Sequence, residues 1–323
     1  MTVLKGQANL FWCVSANPAI DKRVRVSSLI PGRANRVSEV RAAPGGKAAH
    51  VAMVLRTLGA DPLWTGFAGG LTGRQLLDGL LAVGIRVQPV TTNVDTRINL
   101  EIIDDQGGVT ELLEPGLPIG EREWESFLDN CDELFSQQKS GGIVIASGSL
   151  PAGADPAFYA RLTAVVHQHG HKIFLDTSGE PLRLALASGP DWIKPNREEA
   201  EWLIGEEIGD PQSWKHAANR LVQLGARSAI VSLGEDGFVW QAGAGQDTYH
   251  AKSSSVAATS TVGCGDATVA AFAYATSAGL NVEQTLRLAA ACGAANCLAD
   301  LPGRLRTADI KALERLVRIE KSA

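Results

Sequence analysis

Residues 142–147 read Gly-Ile-Val-Ile-Ala-Ser, a short apolar run that ends in a serine. Three runs of the same kind follow along the chain: Lys172 to Asp176 (KIFLD), Trp192 to Lys194 (WIK) and Ala229 to Ser232 (AIVS). Short apolar runs that end in polar residues are typical of strands buried in a parallel sheet. These four runs therefore predict an α/β fold.

Helical patterns lie between these runs, at Asp155 to His167, Glu180 to Ala187, Glu198 to Ile204 and Gln212 to Leu224. Gly225 follows the last pattern and is a natural helix stop. The alternation of strand and helix predicts a mostly parallel central sheet flanked by helices. Such sheets bind ligands beyond the carboxyl ends of their strands, which is where the polar residues of the four runs lie.

Two stretches break the alternation, Arg23 to Ala43 and Val87 to Glu114. The second contains a turn at 104–108 between the short runs 99–103 and 109–113. Short strands joined by Asp and Gly predict a small antiparallel sheet, formed by segments at about 22–43 and 87–115, that leans on the main domain or on a partner subunit. We expect this sheet to be a lid that excludes water from the site. Surface hairpins without a function are the alternative.

Composition limits the classes of function. The chain has 323 residues, of which 45% are hydrophobic and 20% are charged, and these values predict one α/β domain over 1–323. A net charge of −5 argues against nucleic-acid and anionic-membrane partners. The five cysteines have no paired spacing, which favours reduced thiols. No apolar run is long enough to span a bilayer, and we expect a cytoplasmic protein.

The strongest chemical motif is Thr261-Val262-Gly263-Cys264-Gly265-Asp266, which precedes the alanine-rich run 267–278. Two glycines allow backbone N–H groups to point at an anion, and the start of a helix favours a phosphate there. A carboxylate beside a phosphate is favourable when it takes a proton from the attacking group, so Asp266 is a candidate general base for phosphoryl transfer. A loop that simply caps a helix is the alternative.

Several separated segments, taken in order, are similar to the ribokinase-like PfkB family of sugar kinases, and in particular to its phosphosugar branch. They are Asn17 to Asp21 (NPAID), Pro44 to Lys47 (PGGK), Thr96 to Asn99 (TRIN), Ser147 to Pro151 (SGSLP), Lys194 to Asn196 (KPN), Ser232 to Gly237 (SLGEDG) and Gly263 to Asp266 (GCGD). The resemblance covers nearly the whole chain. It implies a three-layer ribokinase-like fold and transfer of the γ-phosphate of ATP to a hydroxyl of a sugar phosphate.

The resemblance also implies roles for individual residues. Asp266 is the base, and the backbone N–H groups of Gly263, Cys264, Gly265 and Asp266 stabilise the transferring phosphoryl group. The residues expected to bind the acceptor sugar phosphate are Asp21, Gly45, Gly46, Lys47, His50, Arg97, Asn99, Ser147 and Ser149. Those expected to bind ATP are Lys194, Asn196, Glu199, Ser232, Gly234, Gly237 and Thr261. Asn196 and Glu199 are expected to hold Mg²⁺ through water, and a monovalent cation is compatible with the reaction.

Simpler roles remain open for some of these residues. Asp21 could cap a turn, Arg97 could be an exposed strand-edge cation, and Ser147 and Ser149 could only build their turn. Asn196 and Glu199 also fit an ordinary helix start. Two points favour a phosphate-bearing substrate. A kinase for an uncharged sugar would not need both Lys47 and Arg97, and arginine can donate two parallel hydrogen bonds to phosphate.

Three positions depart from the family pattern. His50 stands where relatives usually have an Asn that hydrogen-bonds the sugar, so it either changes substrate choice or packs inside the protein. Cys264 replaces a more familiar Ala or Ser, which does not predict inactivity because the backbone acts there. Glu101 stands where some 1-phosphofructokinases have Lys, and this weakens the case for that substrate.

The sequence therefore predicts a kinase for a ketohexose phosphate: fructose 1-phosphate, fructose 6-phosphate or tagatose 6-phosphate. The alternatives are a kinase for an unphosphorylated sugar or nucleoside, and a catalytically silent sugar-phosphate sensor. No Gly-x-Gly-x-x-Gly follows the first strand, so a dinucleotide-binding dehydrogenase is disfavoured. The spacing of His167, His169 and His171 does not match a helical metal pair. The free edges of the lid sheet suggest a homodimer formed through that sheet.

Overall fold

The computed structural model describes residues 10–322. Its strands are β1 Phe11–Ser15, β2 Ala19–Val26, β3 Glu39–Gly45, β4 Pro62–Gly69, β5 Arg86–Thr92, β6 Arg97–Asp104, β7 Val109–Leu113, β8 Ile143–Ser147, β9 Lys172–Asp176, β10 Trp192–Ile193, β11 Ala229–Ser232, β12 Phe238–Gln241, β13 Thr248–Lys252 and β14 Arg318–Ser322. Its helices are α1 Lys47–Thr57, α2 Gly70–Ala82, α3 Glu121–Ser136, α4 Phe158–Gln168, α5 Gly179–Leu186, α6 Arg197–Ile204, α7 Pro211–Gln223, α8 Cys264–Ser277, α9 Val282–Cys297 and α10 Thr307–Glu314.

The large sheet has the order β14-β13-β12-β11-β10-β9-β8-β1-β4-β5. The strands from β11 to β5 are parallel, and β12, β13 and β14 extend the sheet with antiparallel pairs. The chain leaves β1 toward β4 on one side and later returns to β8 on the other. The carboxyl ends of β1 and β8 therefore form a topological switch point, where open α/β sheets bind their ligands.

Helices cover both faces of this sheet. One apolar core lies between the sheet and α1, α2, α8, α9 and α10, and a second lies between the sheet and α3 to α7. Neighbouring residues of β1 show the division, because Trp12 belongs to the second core and Cys13 to the first. Alternate residues of a strand point to opposite faces, so a strand buried on both sides must be apolar throughout. The predicted α/β class and its mostly parallel sheet are confirmed.

The predicted elements match closely. KIFLD and AIVS are β9 and β11 with the predicted limits, and the four helical patterns correspond to α4, α5, α6 and α7 within three residues at each end. The WIK run is the shortest strand, with only Trp192 and Ile193 in the sheet. No helix within residues 10–322 has both the length and the apolar character needed to cross a bilayer.

The second sheet, called the small sheet below, has the order β3-β2-β6-β7. Its β2–β3 and β6–β7 pairs are antiparallel hairpins, as predicted, but β2 and β6 are parallel. The expectation that residues 87–92 belong to it is wrong, because β5 pairs in parallel with β4 at the edge of the large sheet. The reason is α2, which joins β4 to β5 as a helical crossover, the connection that parallel strands need.

Candidate active site

A cavity of about 1140 Å³ opens at the switch point, between the small sheet, the carboxyl ends of the large-sheet strands and the start of α8. Eighteen of the twenty residues expected to bind or act on substrates line it. The two exceptions are Gly45 and Ser147. Ser147 is buried and donates to Asp176 Oδ2 at 3.4 Å, so it supports the site from below. Gly45 matters because it has no side chain: a Cβ there would lie 2.3 Å from Asp21 Cγ and would collide with it.

The anion loop is residues 261–266, and it leads into α8. Gly263 is its N-cap residue and has φ of 83°, a conformation that favours glycine. Asn296 on α9 fixes the loop from behind, because its Nδ2 donates to the Val262 carbonyl at 2.7 Å and its Oδ1 accepts from the Gly303 N–H. Asp266 lies in the first turn of α8 and is 5% exposed.

One of the expected donors is already occupied. The Cys264 N–H donates to the Thr261 carbonyl at 3.2 Å. The N–H groups of Gly263, Gly265 and Asp266 remain as the predicted donors of the anion hole. Gly265 lies against Lys194, since a Cβ there would lie 2.9 Å from Lys194 Nζ and would require that side chain to shift.

A chain of hydrogen bonds joins the predicted base to the acceptor side of the cleft. His50 Nδ1 lies 2.7 Å from Asp266 Oδ2, and His50 Nε2 lies 2.7 Å from Asp21 Oδ2. Asn99 Nδ2 donates to Asp21 Oδ1 at 2.9 Å. Both ring nitrogens of His50 are thus used by carboxylates, and His50 also lines the cleft.

The charged groups joined by these hydrogen bonds shift one another's pKa values. Burial by itself lowers the pKa of His50, but the hydrogen bonds and negative charges of Asp21 and Asp266 raise it to about 10. Burial by itself raises the pKa of Asp21, but His50, Asn99 and Arg97 bring it below its ordinary value. Two carboxylates at hydrogen-bond distance favour the form of His50 that donates from both nitrogens.

Asp176 is a site residue that the sequence reasoning missed. It ends β9, it is fully buried, and its Oδ1 lies 3.2 Å from Lys47 Nζ and 3.6 Å from Lys194 Nζ. Burial alone raises the pKa of Asp176, but the two lysines bring it below its ordinary value. Burial alone lowers the pKa of Lys47, while the charges of Asp176, Asp266 and Glu199 raise it. The sequence did contain an indication of this role, because KIFLD (Lys172 to Asp176) is a buried run that ends in an acid.

The nucleotide-side residues show a mixture of roles. The Asn196 side chain accepts from the Glu199 N–H, and Glu199 Oε2 accepts from the Asn196 N–H, which makes the two residues a capping box of α6. Both residues therefore form an ordinary helix start, and both also line the cleft. Gly237 has φ of 80°, and a Cβ there would lie 2.1 Å from the Ala251 carbonyl oxygen.

Glu101 is buried in an ion pair. It accepts from Arg23 Nε at 2.5 Å and from Ser260 Oγ at 2.5 Å. Ser260 Oγ in turn accepts from the Val262 N–H at 3.1 Å. The small sheet is thereby joined to the anion loop. This contact gives Glu101 a structural role at the position where the sequence suggested only a departure from relatives.

Arg97 lies at the acceptor end of the cleft and is partly buried. Its Nη1 donates to the Glu114 carbonyl at 2.5 Å and its Nε to the Asn17 carbonyl at 3.4 Å. Burial lowers the pKa of Arg97, against the opposing charges of Asp21 and Glu114. Asn17 also donates to Ser149 Oγ at 3.3 Å. Ser149 lines the cleft, whereas Ser147 does not.

Two thiols meet behind the anion loop. Cys264 Sγ, at the start of α8, lies 3.1 Å from Cys297 Sγ, at the end of α9. The hydrogen bond from Cys264 lowers the pKa of Cys297 to about 7. Both residues line the cleft, and all five cysteines are free in the structure.

Several polar atoms in the cleft are buried and lack a partner among residues 10–322. They are Asn99 Oδ1, Thr177 Oγ1 and Ser253 Oγ. A buried polar atom without a partner is costly, so its presence in a cleft points to a ligand that satisfies it. Asn99 stands on the acceptor side, whereas Thr177 follows β9 and Ser253 follows β13.

Residues 10–322 hold no group of three His, Cys, Asp or Glu side chains placed to bind a metal ion. His167, His169 and His171 each have a different partner: Asp191, Asp132 and the Phe135 carbonyl.

These features define a small-molecule phosphotransferase: an anion-binding helix start, a carboxylate in its first turn, and paired lysines in one cleft at the switch point of an α/β sheet. The chain belongs to the pfkB family of carbohydrate kinases, whose model matches residues 14–303. A 1-phosphofructokinase from Rhodobacter capsulatus is 35% identical over 279 residues, which cover 86% of this chain and 87% of that protein.

Two solved structures of Escherichia coli phosphofructokinase-2 share the architecture. The complex with fructose-6-phosphate has a TM-score of 0.86 at 26% identity and covers 96% of this chain and 99% of the other. The complex with potassium has a TM-score of 0.88 at 27% identity, with the same coverage. The predicted family and the predicted carbohydrate kinase class are confirmed.

Proposed function

We propose that the protein transfers the γ-phosphate of ATP to a hydroxyl of a ketohexose phosphate, with Asp266 as the general base. The observation that carries this proposal is the position of Asp266, a buried carboxylate in the first turn of a helix whose N-terminal N–H groups open into the same cavity. The acceptor hydroxyl gives its proton to Asp266 as its oxygen attacks phosphorus. The N–H groups of Gly263, Gly265 and Asp266 stabilise the charge on the transferring phosphoryl group.

The nucleotide lies, in this proposal, along β9 to β13. Lys47 and Lys194 supply positive charge for its phosphates, and Thr177 and Ser253 supply the unpartnered hydroxyls. Mg²⁺ supplies the counter-charge for the β- and γ-phosphates. Glu199 retains carboxylate oxygen lone pairs beyond the capping contact, so with Asn196 it can hold the hydrated ion through water, which fits a site without a carboxylate cage.

The acceptor lies between Asp21, Asn99 and Arg97. Asn99 Oδ1 is free to accept from a sugar hydroxyl, and Arg97 is the cation for the sugar's own phosphate. The relative that is 35% identical is named 1-phosphofructokinase, and this favours fructose 1-phosphate as the first acceptor to test. The buried Glu101–Arg23 pair removes the earlier objection to that substrate, because Glu101 is engaged within the protein.

The deciding experiment measures ATP consumption with Mg²⁺ on fructose 1-phosphate, fructose 6-phosphate, tagatose 6-phosphate, fructose, ribose and adenosine. Loss of a general base lowers kcat by about 10²–10⁴-fold, and we expect this for Asp266→Asn. Asp309→Asn is the matched control, because Asp309 also lies in the first turn of a helix, α10, outside the cleft. Equal turnover by Asp266→Asn and wild type would refute the assignment of the base.

Arg97→Ala tests whether the acceptor carries a phosphate. We expect KM for the phosphosugar to rise at least about tenfold, since a charge-assisted hydrogen bond contributes about 1.5–3 kcal/mol. Arg86→Ala, an exposed arginine on β5, is the control. Turnover only on fructose, ribose or adenosine, unchanged by Arg97→Ala, would favour a kinase for an unphosphorylated acceptor. Binding of sugar phosphate without turnover would favour a sensor.

The proposal includes a homodimer formed through the face of the small sheet that points away from the cleft. Val40 and Leu112 lie on that face and are 52% and 56% exposed. Exposed apolar side chains on a sheet favour contact with another molecule. Light scattering after gel filtration should give a dimer, and Leu112→Asp should give a monomer, whereas Leu316→Asp, at an exposed leucine elsewhere, should not.

A monovalent cation is the last part of the proposal, supported by the potassium complex of the Escherichia coli enzyme. Replacing potassium by the much larger tetramethylammonium at constant ionic strength should lower kcat if such a site operates in this chain. Unchanged kcat in both salts would remove the cation from the proposal.

A further inference from the structure

His50 occupies the centre of the site but is given no role by the reaction as proposed above. Its ring is buried, with 4% of the side chain exposed, and each nitrogen meets a carboxylate at 2.7 Å. One carboxylate belongs to β2 and the other to α8, so the ring joins the acceptor side of the cleft to the anion loop. We propose that His50 is a positioning residue: its ring, which contacts a carboxylate at each nitrogen, holds Asp21 and Asp266 in one fixed geometry. This inference rests on the proposed function.

The oxygens of the two carboxylates show what the ring positions. His50 takes Oδ2 of Asp266, which leaves Oδ1 as the oxygen for the acceptor proton. On Asp21, His50 takes Oδ2 and Asn99 takes Oδ1, so neither oxygen can rotate away without losing a hydrogen bond. A ring that donates at both ends fixes the separation of the two acids, and catalysis is sensitive to such fixed geometry.

The charges around the ring are of both signs. Asp21 faces it from β2 and Asp266 from α8, while Lys47 lies one turn before it on α1 and Arg97 acts on Asp21 from β6. The backbone of Gly303 packs against the backbone of His50, since a Cβ at Gly303 would lie 3.1 Å from His50 Cα. Two carboxylates close together resist double ionisation, and a cation between them removes that resistance.

An amide at position 50 could not do this. Asparagine carries donors on one side of its amide and an acceptor on the other, so it can donate well to only one of the two carboxylates. It also carries no charge. The substitution His50→Asn therefore removes the cation and one hydrogen bond while leaving a polar side chain that relatives use at this position.

The kinetic test is the pH dependence of kcat/KM for the phosphosugar in wild type and His50→Asn. Removal of an opposite charge at hydrogen-bond distance should move the acidic limb upward by about 1–3 pH units. KM should rise as well, because Asp21 loses an anchor. His167→Asn is the matched control, since His167 also contacts a carboxylate, Asp191, but lies outside the cleft. A uniform fall in kcat/KM with an unmoved acidic limb would mean that His50 only packs, and would overturn the proposal.

A second measurement needs no turnover. In ¹⁵N-histidine-labelled wild type at pH 8, the ring assigned to His50 by its loss in His50→Asn should show hydrogen on both nitrogens. A neutral ring at that pH would overturn the proposal, even if the enzyme were active. If no acceptor is phosphorylated, the proposed function fails, and the nitrogen shifts still decide whether the ring is a cation.

Discussion

Asp176→Asn removes one buried negative charge that serves two lysines. The carboxylate is fully buried, Lys194 is 5% exposed and Lys47 is 40% exposed. Removing one partner of a buried ion pair costs about 3–5 kcal/mol, and the partial exposure of Lys47 favours the lower end, about 3 kcal/mol. The entropy of unfolding is about 2.1 cal/mol/K per residue, so a chain of 323 residues loses about 1.5 °C per kcal/mol, and we expect the unfolding midpoint to fall by about 4 °C.

The assay is thermal unfolding with and without saturating MgATP. In Asp176→Asn the two lysines lack their counter-charge, so nucleotide phosphates should supply it. The variant should therefore gain more stability from MgATP than wild type gains. In wild type, a ligand at a hundredfold excess over its Kd contributes about 2.7 kcal/mol. This extra gain separates a role in the phosphate site from a purely structural one.

Asp191→Asn is the matched control. Asp191 is buried and pairs with Arg227 and His167, and it accepts from the Ile173 N–H near the start of β9, whereas Asp176 is at its end. It should lose stability without the extra gain from MgATP. The reasoning would be refuted if Asp176→Asn unfolded within about 1 °C of wild type, or if both variants responded equally to nucleotide.

Three further predictions concern other parts of the cleft. Glu101→Gln should destabilise the fold by about 3 kcal/mol and raise KM for the phosphosugar, because it leaves Arg23 buried without its counter-charge; thermal unfolding and initial rates measure both. Gly237→Ala should be poorly soluble or lose ATP binding, because its Cβ would meet a backbone carbonyl of β13 at 2.1 Å, whereas Gly234→Ala, with open space, should cost only about 1 kcal/mol; nucleotide titrations compare them. Because folding raises the pKa of His50 to about 10, its contribution to stability is full below its unfolded pKa of about 6.5 and is lost as pH rises through 10, so the midpoint of wild type should fall more over that range than that of His50→Asn.

The sequence predicted the large sheet well because its strands are buried on both faces. A strand such as β9 must then be apolar along its whole length, and this pattern is visible without neighbours. The small sheet was harder, since its strands are half-exposed. Val87 to Thr92 alternates like a lid strand, and only the crossover through α2 assigns it to the large sheet.

The site was predictable where a motif is local and unpredictable where a partner is distant. The anion loop is contiguous, and its position at the start of α8 follows from two glycines and an alanine-rich run. The partners of Glu101 are 78 and 159 residues away, so its role could not be read from its own segment. His50 and Asp266 are 216 residues apart, so their contact could not be read from either segment.

The contact between Cys264 and Cys297 has a practical consequence for anyone who purifies this protein. Two thiols 3.1 Å apart, one of them with a pKa of about 7, are well placed for oxidation. Hydrogen peroxide would take one hydrogen from each thiol, form the sulfur–sulfur bond and leave as two molecules of water. The new bond would tie the first residue of α8 to the last residue of α9, beside the N–H groups that we propose stabilise the phosphoryl group. Aged preparations should therefore lose activity and regain it with dithiothreitol, and Cys297→Ser should keep its activity through storage in air.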